Sequence, residues 1–123
     1  MATYIEINNK RYPATITGRL NDDNWGNRES KAIRLEMSYS DALETFVDDV
    51  DWSIILENSV SIPEINEDGE EVVVNKIEEE FYDNSDYSIA GDIIDHRDGT
   101  VTVKMGKPTA KELLTIFEEV LEL

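Results

Sequence analysis

The sequence lacks cysteine, and other features that would narrow its function are scarce. Its 123 residues include one histidine and three prolines. Without cysteine there is no disulfide framework, no thiolate metal ligand and no cysteine nucleophile. No apolar run approaches the ~20 residues that span a bilayer, and the first residues lead directly into strand-like sequence without a signal-peptide pattern. We therefore expect a cytoplasmic protein made of a single domain, residues 1–123.

Positive charge is also scarce, and the deficit is concentrated in one third of the chain. The formal net charge is −17. Residues 41–86 hold sixteen acids and one base, a net of −15, whereas residues 1–40 have a net of +1 and residues 87–123 a net of −3. Such a field repels nucleic acid phosphates and anionic membranes and attracts basic surfaces. Two interpretations stay open: a solvated face that keeps the protein soluble, or a surface on which a basic partner docks.

Alternation of apolar and polar residues predicts an opening hairpin and a third strand. Residues 3–7 and 10–20 form the hairpin around an Asn-Asn turn. Pro13 lies inside the second strand and cannot donate a ladder hydrogen bond, so it marks an edge or a bulge. Residues 31–37 alternate well enough to form the third strand.

The acidic middle of the chain predicts a second, longer hairpin. Residues 51–60 form its first strand, residues 63–71 contain an Asp-Gly turn signal, and Val72 begins the return strand. Segment 64–86 holds ten acids against one lysine, which makes it hard to bury. We expect a long, exposed, partly mobile arm or edge strand here.

The clearest local prediction is a hairpin at residues 87–105. In one register Asp98 and Gly99 form a two-residue turn. In the preferred register, a type I turn is followed by a left-handed Gly99, and Thr100 pairs with His96. The preferred register gives the hairpin one apolar face, formed by Tyr87, Ile89, Ile93, Val101, Val103 and Met105.

Two amphipathic helices are predicted. The first begins at a Ser38 cap, runs for about three turns, and has an apolar stripe formed by Tyr39, Ala42, Leu43, Phe46, Val47 and Val50. The second begins at a capping box of Thr109 and Glu112, and its stripe is formed by Ala110, Leu113, Leu114, Phe117, Val120 and Leu121. We expect the second helix to cover one face of the sheet. Its apolar end at Leu123 could instead join copies of the chain into a homo-oligomer. The fold class is α+β: an antiparallel sheet built from hairpins, with one central and one C-terminal helix.

Catalytic chemistry has one candidate cluster: Asp92, Asp95, His96 and Asp98. Its spacing matches neither a calcium loop nor the histidine pairs of zinc hydrolases. Turn preference explains Asp98, and pairing with Lys104 explains Asp92. The chain also has no glycine-rich phosphate loop and no nucleophile elbow. We therefore predict no enzymatic activity, no cofactor and no metal.

Trp25 is the large aromatic residue of a polar loop at residues 21–29. An exposed tryptophan can anchor a protein partner, since tryptophan is favoured at contact hot spots. More often such a residue folds back onto the edge of a core. Both interpretations stay open, and Trp25 is kept as a candidate partner-binding residue.

Three stretches resemble a family of small uncharacterised proteins in prophages of gut-dwelling Gram-positive bacteria. They are Y-I-E-I-N-N-K-R-Y-P-A-T-I-T-G-R-L from Tyr4, N-R-E-S-K-A-I-R-L-E-M from Asn27, and D-H-R-D-G-T-V-T-V-K-M-G-K-P-T from Asp95. The resemblance implies a phage origin near tail genes, and it brings no catalytic motif.

Two non-enzymatic functions fit a small acidic phage protein. The first is an inhibitor of a host defence complex, of the anti-CRISPR type, whose carboxylates mimic nucleic acid charge and occupy the basic groove of a nuclease. The alternative is a virion or tail-assembly component, located in the virion. Neither function needs direct contact with nucleic acid or a membrane. The acids expected to bind the partner are Asp48, Asp49, Asp51, Glu67, Asp68, Glu70, Glu71, Glu78, Glu79 and Glu80.

Overall fold

The computed structural model describes residues 2–121, with side chains up to Glu119. The predicted side chains of Val120 and Leu121, and all of Leu123, lie outside the described part. The fold is α+β, as predicted, with one central and one C-terminal helix. The strands are β1 (Ala2–Ile7), β2 (Lys10–Asp22), β3 (Arg28–Glu36), β4 (Trp52–Ile65), β5 (Glu71–Asp83), β6 (Ile89–Asp95) and β7 (Thr100–Gly106). The helices are α1 (Tyr39–Thr45) and α2 (Ala110–Leu121), and a short 3-10 turn spans Asp23–Trp25.

The strands form an antiparallel sheet in the order β5-β4-β1-β2-β3-β7-β6. Strand β2 is shared between two halves of this sheet. Residues 10–13 of β2 pair with β1, and residues 14–22 pair with β3. Pro13 lies at the changeover, where the ladder to β1 ends at the pair Tyr4–Pro13. The prediction that Pro13 marks an edge is therefore right locally, because its missing N–H falls where one ladder stops.

The sheet is curled so that its two halves face each other. Lys31 of β3 and Ile54 and Leu56 of β4 line one cleft of about 360 Å³, although β1 and β2 separate those strands in the sheet. Helix α1 closes the core beside β6 and β7. Each fully buried Val or Ile stabilises the fold by roughly 1.5–3 kcal/mol. The core consists of Ile5, Ile7, Ile33, Leu35, Ala42, Phe46, Trp52, Ile54, Tyr87, Val101, Val103 and Met105.

The turn of the β6–β7 hairpin has the preferred register. The N–H of His96 donates to the carbonyl of Thr100 (3.2 Å), and Asp95 pairs with Val101. Gly99 has the left-handed φ of 89°. The predicted type I turn is wrong in one respect, because Arg97 also has a positive φ of 56°.

The far half of the same hairpin differs from the prediction because β6 is bulged. Its register shifts between Ala90 and Ile93, so that Ala90 pairs with Met105 and takes the core position predicted for Ile89. Asp92 consequently does not pair with Lys104, whose ammonium group instead contacts the buried Asp22 at 2.8 Å. The bulge accompanies the ring of Trp25, which packs so closely on Gly91 that a Cβ there would lie 2.7 Å from it.

Helix α1 begins as predicted and ends early. The hydroxyl of Ser38 accepts from the N–H of Asp41, so the cap is confirmed. The helix spans seven residues, and the predicted three turns are wrong. After the helix, the carboxylate of Asp48 accepts from the N–H of Ala90 in β6, and the N–H of Asp49 donates to the carbonyl of Ser88 just before β6, so the chain leaves the helical path toward that strand.

Helix α2 does not cover the sheet, and that prediction is wrong. Its capping box is confirmed, since Thr109 and Glu112 exchange hydrogen bonds of 2.9 and 3.2 Å. Beyond its first turn the apolar side chains are more than half exposed: Leu113 54%, Leu114 57%, Ile116 55% and Phe117 60%. The amphipathic pattern identified the apolar face correctly, but it could not identify what lies against it.

Candidate functional site

The β4–β5 hairpin extends well past the body of the sheet. Strand β1 pairs with β4 only as far as Ala2–Glu57, whereas β4 and β5 continue together to the pair Ile65–Glu71. Residues 58–78 therefore form a projecting two-stranded arm, with about eight residues in each strand and a length of roughly 27 Å at 3.3–3.4 Å per residue. We call these residues the arm.

The tip of the arm is an ordered turn at residues 66–70, which is shorter than the predicted loop at 63–71. The side-chain oxygen of Asn66 accepts from the N–H groups of Asp68 (3.1 Å) and Glu70 (2.9 Å), and Gly69 has a φ of 78°. Pro63 belongs to strand β4, where it pairs with Val73. It is tolerated there because, among residues 2–121, no strand pairs with the second side of β4 past Glu57, so a missing N–H can face solvent.

The three consecutive glutamates of β5 do not form one patch. Glu78 and Glu80 lie on the face that is continuous with the core, because Glu80 pairs with Leu56. Glu79 lies on the opposite face, where its carboxylate accepts two hydrogen bonds from Arg11 at 2.8 and 3.3 Å. One charge of the predicted cluster is thus neutralised within the protein.

Arg11 organises the outer face at the base of the arm. Its guanidinium lies 5.8 Å from the ring centre of Tyr4 and 6.0 Å from that of Phe81, and Glu6 lies 3.9 Å away. The pKa of Arg11 is raised, mainly by its hydrogen bond to Glu79. These cation–π and ion-pair contacts reach across β4 and attach β5 to β1 and β2.

The arm also exposes apolar side chains, which the predictions did not anticipate. On the outer face of β5, Val73 is 71% exposed, Ile77 68% and Phe81 59%, and Ile65 near the tip is 76% exposed. In a strand every second residue points to the same face, so the odd-numbered residues of β5 share the outer face. On that face the apolar residues alternate with polar ones. Several large exposed apolar residues on one face are typical of interaction surfaces. In the sequence, the strong acidity of this segment masked them.

The remaining predicted acids lie at the two opposite ends of the β4–β5 hairpin. Asp48 supports β6 as described, and Asp51 precedes β4 and lines an open groove at the base of the hairpin with Glu6 and Asp83. Glu67, Asp68, Glu70 and Glu71 lie at the tip. With thirteen rises of 3.3–3.4 Å along β4, base and tip are roughly 45 Å apart. The predicted acids from Asp51 to Glu80 therefore form a line along the hairpin rather than one surface, and Asp48 and Asp49 lie outside it beside β6.

Trp25 is half buried against the sheet edge. Its ring contacts Gly91 and Gly106, and the guanidinium of Arg28 lies 4.8 Å from the ring centre. The positions of both glycines leave room for the indole, since a Cβ at Gly106 would lie 2.8 Å from the ring. These contacts support the interpretation that Trp25 caps a core edge.

Three residues of the candidate catalytic cluster have local partners, and the fourth, Asp92, is exposed in the bulge of β6. Asp95 accepts from the N–H of Arg97, and Asp98 accepts from the N–H and hydroxyl of Thr100, which lowers the pKa of Asp98. His96 hydrogen-bonds the hydroxyl of Thr102 at 2.7 Å. Across the described residues, no group of three or more His, Asp or Glu side chains is placed to hold a metal ion.

A charged network at the mouth of the curled sheet was missed by the sequence reasoning. The hydroxyl of Tyr87 donates to Glu29, and the ammonium of Lys107 contacts both Glu29 (3.3 Å) and Asp86 (3.2 Å). Burial and this bond raise the pKa of Tyr87, and burial lowers the pKa of Lys31, which donates to Asn84. These contacts join the β5–β6 connection to β3, so the network fixes the base of the β4–β5 hairpin to the rest of the sheet.

Comparisons with known proteins add no assignment. No protein-family model matches the chain, and searches of curated proteins and of solved structures give no match. Within residues 2–121, neither helix is long and apolar enough to cross a membrane.

Proposed function

We propose that this protein is a non-enzymatic binding protein whose arm docks on a basic surface of another protein, as a component of a larger assembly. The observation that carries the proposal is the arm itself. It projects roughly 27 Å beyond the last residue pair of β1. Its residues 58–78 include six acids and one base, a net charge of −5.

The mixture of charge and apolar surface favours an assembly component over a phosphate mimic. A groove that binds a nucleic acid backbone holds its phosphates mainly with Lys, Arg and polar groups, so a mimic of those phosphates needs acids rather than apolar side chains. Val73 and Ile77 on the arm and Phe81 at its base are each more than half exposed, on the face of β5 that also holds Glu79. Protein interfaces bury such apolar groups at their centre and keep charges at the rim.

Helix α2 supports the same proposal. Its apolar residues are exposed beyond the first turn, while its N-terminus is fixed to β3 by Arg28. A second projecting element with an uncovered apolar face suits a chain that contacts more than one neighbour. The resemblance to prophage proteins that are encoded near tail genes supports a phage particle as the larger assembly. Within that particle it supports the tail as the part that contains this chain.

The second candidate function is an inhibitor that mimics nucleic acid charge and occupies the basic groove of a host defence nuclease. Its support is the length of the acidic line: from Asp51 at the base to Glu71 at the tip, acids follow the hairpin for roughly 45 Å. Such a line could follow a groove shaped for a nucleic acid backbone.

Two experiments separate the candidates. Phage particles purified after prophage induction are analysed by quantitative mass spectrometry, and stoichiometric presence of the chain supports the assembly component. In parallel, purified protein is titrated into a target-DNA binding assay with a CRISPR effector at two salt concentrations. Inhibition that weakens as salt rises, together with absence from particles, would replace the assembly proposal with the inhibitor.

A further inference from the structure

The two edges of the sheet are constructed differently. Strand β6 forms one edge, spans seven residues and contains the bulge at residues 91–92. Strand β5 forms the other edge, spans thirteen residues and pairs with β4 without a register shift. Bulges and short length protect an edge against further pairing because they interrupt the row of free N–H and C=O groups, and charged side chains protect it by repulsion. The backbone of β6 is protected in the first way, whereas the backbone of β5 is open and only its charges can select what pairs with it.

The arm also has a stability problem that a further strand would solve. A two-stranded hairpin is marginally stable in water at best, and three or more strands are needed for independent stability. Within the part of the chain that the structure describes, β4 and β5 pair only with each other along residues 58–78. An additional strand on the outer edge of β5 would run the length of the arm.

The sequence of β5 is complementary to itself about Ile77. We propose that β5 pairs antiparallel with β5 of a second copy of the chain, across a two-fold axis at Ile77. In this register Lys76 faces Glu78 of the second copy, and the symmetry repeats this ion pair. Val73 faces Phe81, Val72 faces Tyr82 and Ile77 faces its own copy, whereas Val74 faces Glu80. The pairing forms a four-stranded ribbon, β4-β5 with its two-fold copy, through roughly a dozen backbone hydrogen bonds.

Neighbouring two-fold registers are worse. Centring the axis on Lys76 places two lysines opposite each other and Val73 against Glu79. Centring it on Glu78 places two glutamates opposite each other and Ile77 against Glu79. In the register centred on Ile77, the like-charge contacts are Asp83 with Glu71, at the two ends of the ladder, where pairs fray and are solvated.

The dimer goes beyond the proposed function and does not depend on it. The paired segment runs from Glu71 to Asp83, so the tip at residues 66–70 stays free for the basic partner. Absence of the chain from phage particles would leave the dimer intact, and a monomeric chain could still dock its arm.

Charge exchange tests the register. Sedimentation equilibrium of the wild type is expected to give a dimer of about twice the 14.0 kDa chain mass. Across the axis, Lys76→Glu and Glu78→Lys each replace two attractive contacts by two repulsive ones and are expected to weaken the dimer by about tenfold or more. Lys76→Glu also removes the 2.9 Å ion pair of Lys76 with Glu64 of its own chain, so Glu78→Lys is the cleaner of the two single variants. The double variant Lys76→Glu/Glu78→Lys restores both ion pairs and the dimer. Glu80→Lys is the matched control, because Glu80 faces Val74 and cannot restore the Lys76→Glu variant.

The absence of cysteine in the natural chain allows a direct geometric test. Ile77→Cys places two thiols across the axis, where the facing Cβ atoms of an antiparallel pair are about 4.5–5.5 Å apart, close enough for a disulfide with small adjustment. Asn75→Cys faces Glu79 and is expected not to cross-link with itself, whereas a mixture of Asn75→Cys and Glu79→Cys cross-links. A monomeric wild type at 200 µM would overturn the proposal. So would a dimer in which Asn75→Cys cross-links as well as Ile77→Cys, or in which the double charge exchange fails to restore association.

Discussion

Arg28 and Glu112 form a two-bond ion pair, 2.7 and 3.2 Å, that joins β3 to the first turn of α2. The same guanidinium donates to the carbonyls of Trp25 and Lys107, so it connects three separate segments. Arg28 is the better buried partner, with 10% of its side chain exposed. The pair fixes the direction in which α2 leaves the body.

We expect Glu112→Gln to release the start of α2. The hydrogen bonds from Arg28 lower the pKa of Glu112 to about 2, so the carboxylate form is strongly favoured in the folded protein. A depressed pKa stabilises the folded state above the unfolded pKa of about 4.3, and this contribution is lost as the pH falls toward 2. In the wild type, trypsin cleavage at Lys111 should therefore be slow at neutral pH, and in Glu112→Gln it should be fast.

Glu118→Gln is the matched control, because it removes a carboxylate from the same helix about two turns away. Its cleavage rate at Lys111 should equal that of the wild type. Equal rates in Glu112→Gln and wild type would show that the ion pair does not hold the helix.

Asp22 anchors a buried polar site between β2, β3 and β7. It is fully buried and accepts from Lys104 (2.8 Å), Ser30 (3.0 Å) and the N–H of Asn24 (3.2 Å). The bond from Lys104 is the largest cause of the lowered pKa of Asp22. Its contribution to stability is therefore present above about pH 4 and is lost as the pH falls through the lowered value.

Asp22→Ala should lower the thermal midpoint at pH 7 clearly, because it leaves a lysine without its carboxylate. At pH 2 wild type and variant should be closer in stability. Asp23→Ala, on the exposed neighbour, is the control. A difference between wild type and Asp22→Ala that stays the same from pH 7 to pH 2 would contradict the assigned ion pair.

Gly91→Ala should destabilise the protein through the ring of Trp25. The added Cβ would lie 2.7 Å from the ring carbon, and overpacking of this kind costs about 1–3 kcal/mol. Gly18→Ala is the matched control, since an added Cβ there has nothing within 4 Å. Urea unfolding monitored by tryptophan fluorescence measures both. If Trp25 leaves the edge freely, Gly91→Ala and Gly18→Ala will unfold at the same urea concentration.

Glu79→Gln should loosen the base of the arm, whereas Glu78→Gln should not. Glu79 is held by two hydrogen bonds from Arg11 on the outer face, and Glu78 lies on the other face of the same strand. Amide exchange along residues 79–82 is expected to rise in Glu79→Gln alone. The same rise in both variants would show that the net charge of the segment, and not the Arg11 contact, sets the order of β5.

Local turn and cap chemistry made part of this fold predictable. Gly99 and the capping box of Thr109 and Glu112 depend on residues within a few positions, and both are in the structure as predicted. The bulge at residues 91–92 was not predictable, because it accompanies the packing of Trp25 from a loop far earlier in the chain. A prediction from alternation alone continues the strand register unchanged, and it cannot include a distant side chain that interrupts the register.

The candidate site was predictable in position but not in form. The run of glutamates and the Asp-Gly turn located the hairpin, yet sequence adjacency suggested one acidic cluster. The strand period places Glu79 opposite to Glu78 and Glu80, and Arg11 then neutralises it. Val73, Ile77 and Phe81 are exposed because β5 is an edge strand and because the pairing of β1 with β4 stops at Ala2–Glu57. Both are properties of the whole sheet.

Shortening the arm tests the central claim most directly. Residues 59–77 are replaced by Asn-Gly, which joins the paired residues Asn58 and Glu78 by a two-residue turn. Circular dichroism and the fluorescence of buried Trp52 verify the body, and the amount of the variant in phage particles purified after prophage induction is compared with wild type by mass spectrometry. We predict a folded variant that is absent from the particles. A folded, shortened chain incorporated as fully as wild type would contradict the assignment of docking to the arm.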